Sequence, residues 1–250
     1  MTPDGWLAAP EDCPLAPGEI HVWTASLDPG RDEILRYAAS LSTGEEARAA
    51  RFHFERDRNR FIAGRGILRS VLARYLDTEP AQVVFNYGPH GKPALIAPRT
   101  DRPLFFNLAH SEGLLLLAAT RDCEAGVDVE KMRRFSDMEA VARRILSARQ
   151  FSQFQELPEP ERVPAFFRLW TRKEAWLKAV GAGMSGMLDQ IEVTFVKGES
   201  PRIIRLPQTA ERAGQWTLSD LSPAADFVGA LAVPLRDFQL RQWQWPVPAR

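Results

Sequence analysis

The sequence predicts an α+β fold, in which helices and strands come in mixed clusters rather than in the regular alternation of a doubly wound parallel sheet. Two observations support this expectation. Several short segments alternate apolar and polar residues, which is the period of a half-buried strand, and longer segments have the apolar spacing and terminal signals of helices. With 250 residues, the chain has room for one large domain or two small ones, each with an apolar core.

The N-terminal elements follow in chain order. Residues 1–18 are rich in proline and acidic residues and are expected to form an extended arm on the surface. The segment "EIHVWTASL" (19–27) alternates like a strand. A long helical stretch is expected from Ser42 to about Leu76, because "STGEE" offers a capping hydroxyl followed by glutamates that suit the positive end of a helix.

Strands dominate the next part of the chain. The segment "QVVFNYG" (82–88) is a predicted strand that stops at the turn "GPHGKP" (88–93). Residues 103–120 are predicted to form a hairpin that turns at "HSEG" (110–113). The next strand is supplied by "EAGVDVEKM" (124–132).

The second half combines helices with short strands. A helical region is expected at about 137–155, followed by the loop "LPEPERVP" (157–164). The segment "AFFRLWTRKEAWLKAV" (165–180) predicts a strong helix that ends at Gly181, a natural C-cap. Further short strands are expected at 190–196, 201–206, 215–221 and 227–233, before a tail rich in Trp and Pro.

Charge and cysteine content exclude several classes of protein. The 32 basic and 32 acidic residues cancel, whereas a general binder of nucleic acid or of membrane surfaces carries a basic excess. Cys13 and Cys123 match no metal-binding spacing, which favours a reduced intracellular protein over a secreted one. No signal peptide is recognisable, and the run "LLLLAA" (114–119) is too short to span a bilayer. We therefore expect a soluble, cytoplasmic and monomeric protein.

Two neighbouring carboxylates stand out in the strand "GVDVEKM" (126–132). Side chains alternate across a strand, so Val127 and Val129 are expected to point into a core, with Asp128 and Glu130 side by side on the opposite face. Residues two apart on a strand are roughly 7 Å apart, close enough for like charges to repel. Lys131 is the one cation beside them in this stretch. Such crowding needs a reason.

The predicted helix 165–180 carries a third carboxylate. Glu174 and Lys178 are one turn apart, on one edge of a broad apolar face. Lys173 falls inside the apolar arc. The simplest interpretation of this helix alone is an exposed ion pair with a snorkelling lysine beside it.

Arginines are concentrated in one part of the chain. Residues 48–74 contain eight arginines against two acids, Glu55 and Asp57, a net charge of 8 − 2 = +6 in a neutral chain. The eight are Arg48, Arg51, Arg56, Arg58, Arg60, Arg65, Arg69 and Arg74. Guanidinium groups match phosphate oxygens, so the patch suggests a compact anionic ligand. A solvated arginine-rich helix is the alternative.

The turn "GPHGKP" (88–93) is a second candidate anion site. It brings His90, Gly91 and Lys92 together in a glycine-bearing turn, where backbone N–H groups can face an anion. His110 ends a predicted strand, where a histidine is more often structural than a ligand. Histidine ligation of a metal is not expected, because the four histidines show no paired spacing.

These features converge on a metal site and a phosphorylated ligand. Two strand carboxylates plus a helix carboxylate form an all-oxygen site, which suits Mg²⁺ rather than Zn²⁺ or copper. Mg²⁺ commonly completes its shell with waters and substrate phosphates. Lys178 and the arginine patch would neutralise the remaining charge of a polyphosphate. The residues alone therefore predict Mg²⁺-dependent phosphoryl chemistry on a multiply phosphorylated substrate.

Five motifs, counting one paired signature as a single motif, resemble those of the 4′-phosphopantetheinyl transferases, of the larger, surfactin-synthetase-activating type. The paired signature is "GVDVEKM" with "FFRLWTRKEAWLKAVGAGM", and the similarity extends to "RFHFERDRNRFIAGRGILR" (51–69), "GPHGKP", "FNLAHS" (106–111) and "LDQIEVTF" (188–195). The resemblance covers most of the chain from about residue 19 to 233. It implies two similar α+β lobes related by a pseudo-twofold axis, residues 1–121 and 122–250, with coenzyme A and Mg²⁺ in the cleft between them.

The resemblance also implies an activity and a set of site residues. The activity is transfer of the 4′-phosphopantetheine arm from coenzyme A to a serine of an apo carrier protein, with release of adenosine 3′,5′-bisphosphate. The implied metal ligands are Asp128, Glu130 and Glu174, of which Glu174 is also catalytic together with Lys178. The implied coenzyme-binding residues are Arg48, Arg51, Arg60, His90, Gly91, Lys92, Asn107, His110 and Lys178. Among these, the arginines match the 3′-phosphate end and Lys178 matches the diphosphate.

The chain departs from the family pattern at two positions. Many relatives have a glutamate, proposed as the base for the carrier serine, where this chain has Gln150, whose amide cannot accept a proton. Glu174, a metal-bound water or Glu156 would then take that role. Ala109 stands where relatives often have a serine that can contact phosphate.

Two other functions fit parts of the pattern. A different Mg²⁺-dependent phosphotransferase or hydrolase would share the carboxylates but would not need coenzyme A. A non-catalytic module that binds coenzyme A or a carrier protein would keep the basic patch but lose the metal ligands, which are present here. Fatty-acid, polyketide, nonribosomal-peptide and siderophore carrier proteins all fit the predicted transferase.

Overall fold

The computed structural model describes residues 5–88, 91–96, 103–181, 187–207 and 213–246. Within them it confirms an α+β fold, with six α-helices and twelve strands. The helices are α1 (Arg31–Ala38), α2 (Thr43–Ala49), α3 (Glu55–Leu76), α4 (Met138–Ile145), α5 (Ala148–Gln155) and α6 (Glu159–Val180). The strands are β1 (Leu7–Ala8), β2 (Glu19–Ser26), β3 (Phe85–Tyr87), β4 (Pro93–Leu95), β5 (Phe105–Ser111), β6 (Leu114–Thr120), β7 (Gly126–Lys131), β8 (Glu192–Val193), β9 (Ile203–Arg205), β10 (Thr217–Leu221), β11 (Phe227–Val233) and β12 (Gln239–Trp245).

The larger sheet has five strands in the order β1-β12-β2-β6-β5. Its central strand β2 pairs antiparallel with β6 and parallel with β12, so the Trp/Pro-rich tail expected from the sequence contains a strand. In that pairing Trp243 lies opposite Trp23, with ring centroids 6.4 Å apart. Trp243 and Trp245 thus give the tail a partly buried face that packs against the core, which a composition rich in Trp and Pro does not suggest.

Helix α3 covers one face of this sheet, with apolar residues such as Ile67, Leu68 and Leu72 in the same buried cluster as Trp23. The single helix expected from Ser42 to Leu76 is in fact two, α2 and α3, separated at residues 50–54.

The break between α2 and α3 has a physical reason in Glu45. Its carboxylate closes a capping box with Ser42 and also receives Arg65 Nε at 2.5 Å and Arg69 Nε at 2.8 Å. The chain has to turn between the two helices to bring Glu45 onto α3, and the pairing satisfies three buried charged groups together.

The smaller sheet has three antiparallel strands in the order β10-β11-β7. Helix α6 packs on it and begins six residues before the predicted start, at Glu159. Pro160 lies in the first turn of α6, where its missing N–H has no partner to lose. Pro164 lies inside the helix, where it removes one backbone hydrogen bond without ending the helix. The predicted helix at 137–155 is likewise two, since Ser147 accepts from Gln150 N and begins α5.

Other differences concern short elements. Helix α1 was not predicted, and the strand expected at 82–88 is reduced to β3 because Pro80–Gln82 forms a 3₁₀ turn. The hairpin of β5 and β6 and the strands β7 and β11 match the prediction closely. Among the described residues, no helix combines the length and the apolar character needed to cross a membrane.

Strand β7 lies directly against the backbone of α6. A Cβ atom at Gly126 would lie 1.9 Å from Ala175 O and 2.3 Å from Ala179 N, far inside van der Waals contact. Only glycine allows this approach. The opposite face of β7 carries Val127 and Val129, which are buried in the cluster between the two sheets, as the alternating pattern predicted.

We predict that Gly126→Ala lowers the free energy of unfolding by about 3 kcal/mol or more, because the added methyl group meets backbone atoms that cannot rotate away. Gly44→Ala in α2 is the control, since its added Cβ has nothing within 4 Å. It should leave stability unchanged or raise it by up to about 1 kcal/mol. Urea unfolding followed by circular dichroism measures both. Wild-type stability of Gly126→Ala would show that β7 does not lie against α6 in this way.

Candidate functional site

The contact between β7 and α6 brings the predicted carboxylates together. Asp128 and Glu130 project from β7, and Glu174 and Lys178 project from α6. Lys178 Nζ donates to Asp128 Oδ1 at 2.6 Å. Asp128 and Glu174 are buried, with 4% and 5% of their surface exposed. The exposed ion pair between Glu174 and Lys178 that the helix alone suggested is thus replaced by a buried cluster across two elements.

Two carboxylate oxygens in this cluster are buried without a hydrogen-bond partner among the described residues. They are Asp128 Oδ2 and Glu174 Oε1. Buried polar atoms are normally paired, and an unpaired carboxylate oxygen is especially unfavourable. Oxygen atoms of this kind, on neighbouring elements, are the ligands that a hard cation such as Mg²⁺ uses. The donor chemistry of the cluster therefore fits Mg²⁺.

The carboxylates are not already arranged around one point. In the part of the chain that the structure describes, no three His, Cys, Asp or Glu side chains are placed to hold a metal ion as they stand. Asp128 is engaged by Lys178, and Glu130 Oε2 accepts from Ser111 Oγ at 2.6 Å. Lys178 holds Oδ1 of Asp128 and leaves Oδ2 unpaired, and Lys178 has room to move because 31% of its side chain is exposed.

The cluster perturbs the protonation of its members. Burial raises the pKa of Asp128 to about 7, against the opposing effect of Lys178 and with a further rise from Glu130 and Glu174. Burial also raises the pKa of Glu174, which Lys178 again opposes. Partial burial and then Lys178 lower the pKa of His110, although that residue keeps an exposed surface. These groups therefore form one electrostatically coupled site, with a neutral His110 near physiological pH.

The arginine-rich segment divides into structural and available members. Arg65 and Arg69 are buried on Glu45, and Arg74 donates to backbone carbonyls of the N-terminal arm. Arg60 forms a bidentate pair with Asp28, with both N–O distances at 2.7 Å.

Arg48 and Arg51 are the arginines best placed for a ligand. Both are exposed, and together with Gly44 and Phe52 they line an open cavity of about 540 Å³. Among the described residues neither forms a side-chain ion pair, and the guanidinium of Arg48 lies over the ring of Phe61. A phosphate group could therefore bind here without displacing an existing partner.

Lys92, just before β4, is hydrogen-bonded to the C-terminal end of α6. Gly91 adopts a φ of 77°, and Lys92 Nζ donates to Glu124 at 2.7 Å and to Lys178 O at 2.9 Å. Lys92 thus holds the carbonyls at the C-terminal end of α6. A cavity of about 460 Å³ opens beside it, lined mainly by apolar residues including Leu104 and Phe106. His90 lies outside the described residues.

Asn107 has a structural partner. It is buried, with 6% of its surface exposed, and its Oδ1 accepts from Val127 N at 2.9 Å. Its predicted contact with coenzyme A stays a prediction. Ala109 is buried in the cluster between the two sheets, so this position faces the core.

Gln150 is also structural. Its side chain is completely buried, and Nε2 donates to Val193 O at 2.7 Å. A glutamate at this position would lose that donor and bring a charge into the core. Glu156 is exposed at the other end of α5.

The sequence motifs missed two contributors to the site. Ser111 binds Glu130, and Glu124 binds Lys92. The sequence pattern could have indicated Ser111, because it lies four residues after Asn107 on the same predicted strand, next to His110.

Lys173, which falls inside the apolar arc of its helix, is completely buried. Its Nζ donates to Ile145 O at 2.8 Å and to Leu188 O at 3.0 Å. These bonds fix α4 and the segment after α6 against the helix that carries Glu174.

Two family models match the chain in succession. The model described as "4′-phosphopantetheinyl transferase, N-terminal" matches residues 25–122, and the model of the 4′-phosphopantetheinyl transferase superfamily matches residues 124–232. The second match contains β7 and α6, and therefore all four charged residues of the cluster.

Curated relatives agree with these matches. The chain is 39% identical to the 4′-phosphopantetheinyl transferase HetI of Nostoc over 96% of its own length and 98% of the relative. It is 38% identical to a putative 4′-phosphopantetheinyl transferase of Synechocystis, over 76% of this chain and 69% of the relative. Identity to the 4′-phosphopantetheinyl transferase Sfp of Bacillus subtilis is 29%, over 65% of this chain and 70% of the relative. From its motifs, its carboxylate cluster and these similarities, the chain belongs to the 4′-phosphopantetheinyl transferase superfamily.

Proposed function

We propose that this protein transfers the 4′-phosphopantetheine group of coenzyme A to a serine hydroxyl of an apo carrier protein, in a reaction that requires Mg²⁺ and releases adenosine 3′,5′-bisphosphate. The observation that carries the proposal is the cluster of Asp128, Glu130, Glu174 and Lys178 in a chain of this family. Its two buried members, Asp128 and Glu174, have unpaired oxygens. The serine oxygen forms a bond to the β-phosphorus of coenzyme A, and the bond to the bridging oxygen of the diphosphate breaks.

Asp128, Glu130 and Glu174 would hold the metal. When bound, Mg²⁺ supplies charge neutralisation and polarisation of the diphosphate. The protein's own contribution is mainly positioning and electrostatics, which suits phosphoryl transfer because little covalent chemistry is required.

Lys178 is the residue that would move from the cluster to the substrate. In the structure its ammonium group neutralises part of the charge on Asp128. Once another cation takes that place, the same ammonium group becomes available to the coenzyme A diphosphate. In the free protein Lys178 thereby stabilises the carboxylate cluster, and with coenzyme A bound it would stabilise the leaving group.

Glu174 is our candidate for the general base. As a ligand of the cation it would lie beside the diphosphate, where a carboxylate oxygen not bound to the metal can accept the serine proton. Gln150 cannot accept a proton and is held in the core by Val193, while Glu156 lies at the exposed end of α5.

The two halves of the chain support a two-lobed arrangement with a pseudo-twofold axis. Helices α3 and α6 each have 22 residues, each packs on a sheet, and each ends at a residue with positive φ. We propose lobes of residues 1–121 and 122–250, a division that the two successive family matches support. Strand β12 belongs to the second half of the chain but pairs with β2, so it would complete the sheet of the first lobe.

Several expectations complete the proposal. The substrate pair is coenzyme A and an apo acyl or peptidyl carrier protein, and the protein is expected to act as a cytoplasmic monomer. Transfer to a carrier protein, read by intact mass, distinguishes this function from a coenzyme-independent Mg²⁺ phosphotransferase and from a non-catalytic binding module.

We predict that Asp128→Asn and Glu174→Gln each lower the kcat/KM of transfer by about 100-fold or more, because each removes an anionic ligand from the cluster. Glu161→Gln in the first turn of the same helix is the control and should retain wild-type activity. Thermal unfolding should show that all three variants fold. Near-normal turnover of both cluster variants at low millimolar Mg²⁺ would contradict the metal assignment.

The affinity for Mg²⁺ should depend on pH. The pKa of Asp128 is about 7 without metal, so this carboxyl is mostly protonated below that pH and must lose its proton to bind a cation. Affinity should therefore rise about tenfold between about pH 6 and about pH 8, with proton release near neutrality. Calorimetry in two buffers of different ionisation enthalpy measures both quantities. An affinity that is constant over this range would show that Asp128 does not bind the metal.

We also expect Arg48 and Arg51, rather than Arg60, to bind the 3′-phosphate of coenzyme A, because Asp28 already occupies Arg60. Coenzyme A should bind more tightly than dephospho-coenzyme A. Arg48→Ala or Arg51→Ala should reduce this preference by about tenfold, since a charge-assisted contact to phosphate is lost. Arg58→Ala, an exposed change on α3, is the control. If Arg60→Ala alone removes the preference, the 3′-phosphate lies at Arg60 instead.

A further inference from the structure

Two side chains of β5 bind the edge of β7 that no strand pairs with. Among the described strands, β7 is at the end of the sheet β10-β11-β7, so one edge of its backbone forms no ladder hydrogen bonds with any of them. Asn107 Oδ1 accepts from Val127 N at 2.9 Å, and Ser111 Oγ accepts from Lys131 N at 3.2 Å. Each contact joins residues 20 apart, so the two strands run in the same direction in matched register. Side-chain oxygens thus replace the backbone carbonyls of a ladder.

Ser111 makes a second bond that Asn107 does not make. Its hydroxyl donates to Glu130 Oε2 at 2.6 Å while it accepts from the N–H of Lys131. A hydroxyl has one donor and two acceptor sites, so both bonds can form at once. The O–H···O⁻ bond is charge-assisted and short. Because Glu130 and Lys131 are adjacent, one hydroxyl fixes both the carboxylate and the backbone that carries it.

Glu130 depends on such a contact more than its two neighbours do. Asp128 and Glu174 are buried, and Lys178 holds Asp128. Glu130 is only half-buried near the end of β7, and its flexible side chain has several rotamers available. Among the described residues, Ser111 is the side chain that hydrogen-bonds it.

We propose that Ser111 is a positioning residue, which holds the Glu130 carboxylate in the orientation that completes the cation site. Asn107 fixes the other end of the same strand, so β5 sets where the cluster lies relative to the larger sheet. The inference rests on the proposed function, because it assumes that Glu130 binds the cation. Ser111 itself touches neither substrate nor metal in this role.

The first test uses the protein without metal or coenzyme. Ser111→Ala should increase amide hydrogen exchange at Lys131 about tenfold or more, because the N–H loses its acceptor, while Val127 stays protected by Asn107. Ser111→Thr keeps the hydroxyl and should behave like the wild type. Ser219→Ala is the matched control, since Ser219 is also a half-buried serine in a strand, on β10. Unchanged exchange in Ser111→Ala would overturn the proposal whether or not the protein binds a cation.

The second test measures binding of Mg²⁺ alone by calorimetry. Ser111→Ala should weaken it about five- to tenfold, with Ser111→Thr and Ser219→Ala within about twofold of wild type. In transfer assays the Mg²⁺ concentration for half-maximal rate should rise by the same factor, while kcat at saturating Mg²⁺ changes little. A purely structural role would lower thermal stability without this selective change.

The outcomes separate this proposal from the proposed function. Wild-type Mg²⁺ affinity in Ser111→Ala, despite faster exchange at Lys131, would show that Ser111 does not orient a ligand, and the inference would be wrong while the function stands. Absence of Mg²⁺ binding by the wild type would contradict the metal assignment itself, and the positioning role with it. Failure of Ser111→Thr to restore either property would also overturn the role of the hydroxyl.

Discussion

The close approach of β7 to α6 at Gly126 is the constraint on which the rest of the site depends. Because no side chain separates the strand from the helix backbone, Asp128 comes within hydrogen-bonding distance of Lys178, four residues beyond Glu174. The valines on the other face of β7 lie between the two sheets. One strand therefore serves as core on one side and carries two carboxylates of the cluster on the other, and apolar packing fixes its position.

The cluster combines groups that oppose each other's burial. Burial raises the pKa of Asp128, Lys178 offsets only part of this effect, and the nearby Glu130 and Glu174 raise the pKa further. Such an arrangement weakens the fold locally and is typical of functional sites, where binding of a cation relieves the repulsion. The arginines of the basic segment fall into two groups. Some are paired with an acid, as Arg60 is with Asp28, whereas Arg48 and Arg51 are exposed. The proposed contacts to a polyphosphate would thus use basic groups that form no ion pair among the described residues.

The sequence predicted what depends on local patterns. The alternation of apolar and acidic residues predicted which side chains of β7 face the core. The predicted C-cap at Gly181 was confirmed. The motifs identified the transferase family. It did not predict contacts that join distant segments, such as the pairing of β12 with β2, the Glu45 anchor that divides the arginine helix, or the Asp28 partner of Arg60. Nor did it show that Gln150 is a core residue held by Val193. Ser111 was missed because its contacts depend on the register between two strands of different sheets, which no single segment encodes.

The central claim is that β7 and α6 together form a divalent-cation site that receives the coenzyme A diphosphate. The most direct test is anomalous diffraction from crystals grown with Mn²⁺, used in place of Mg²⁺, and coenzyme A. We expect a single anomalous peak bonded to Asp128 Oδ2, Glu174 Oε1 and the Glu130 carboxylate, with Lys178 moved from Asp128 to a phosphate oxygen. An ion bound elsewhere, with the pair between Lys178 and Asp128 intact, would contradict the account.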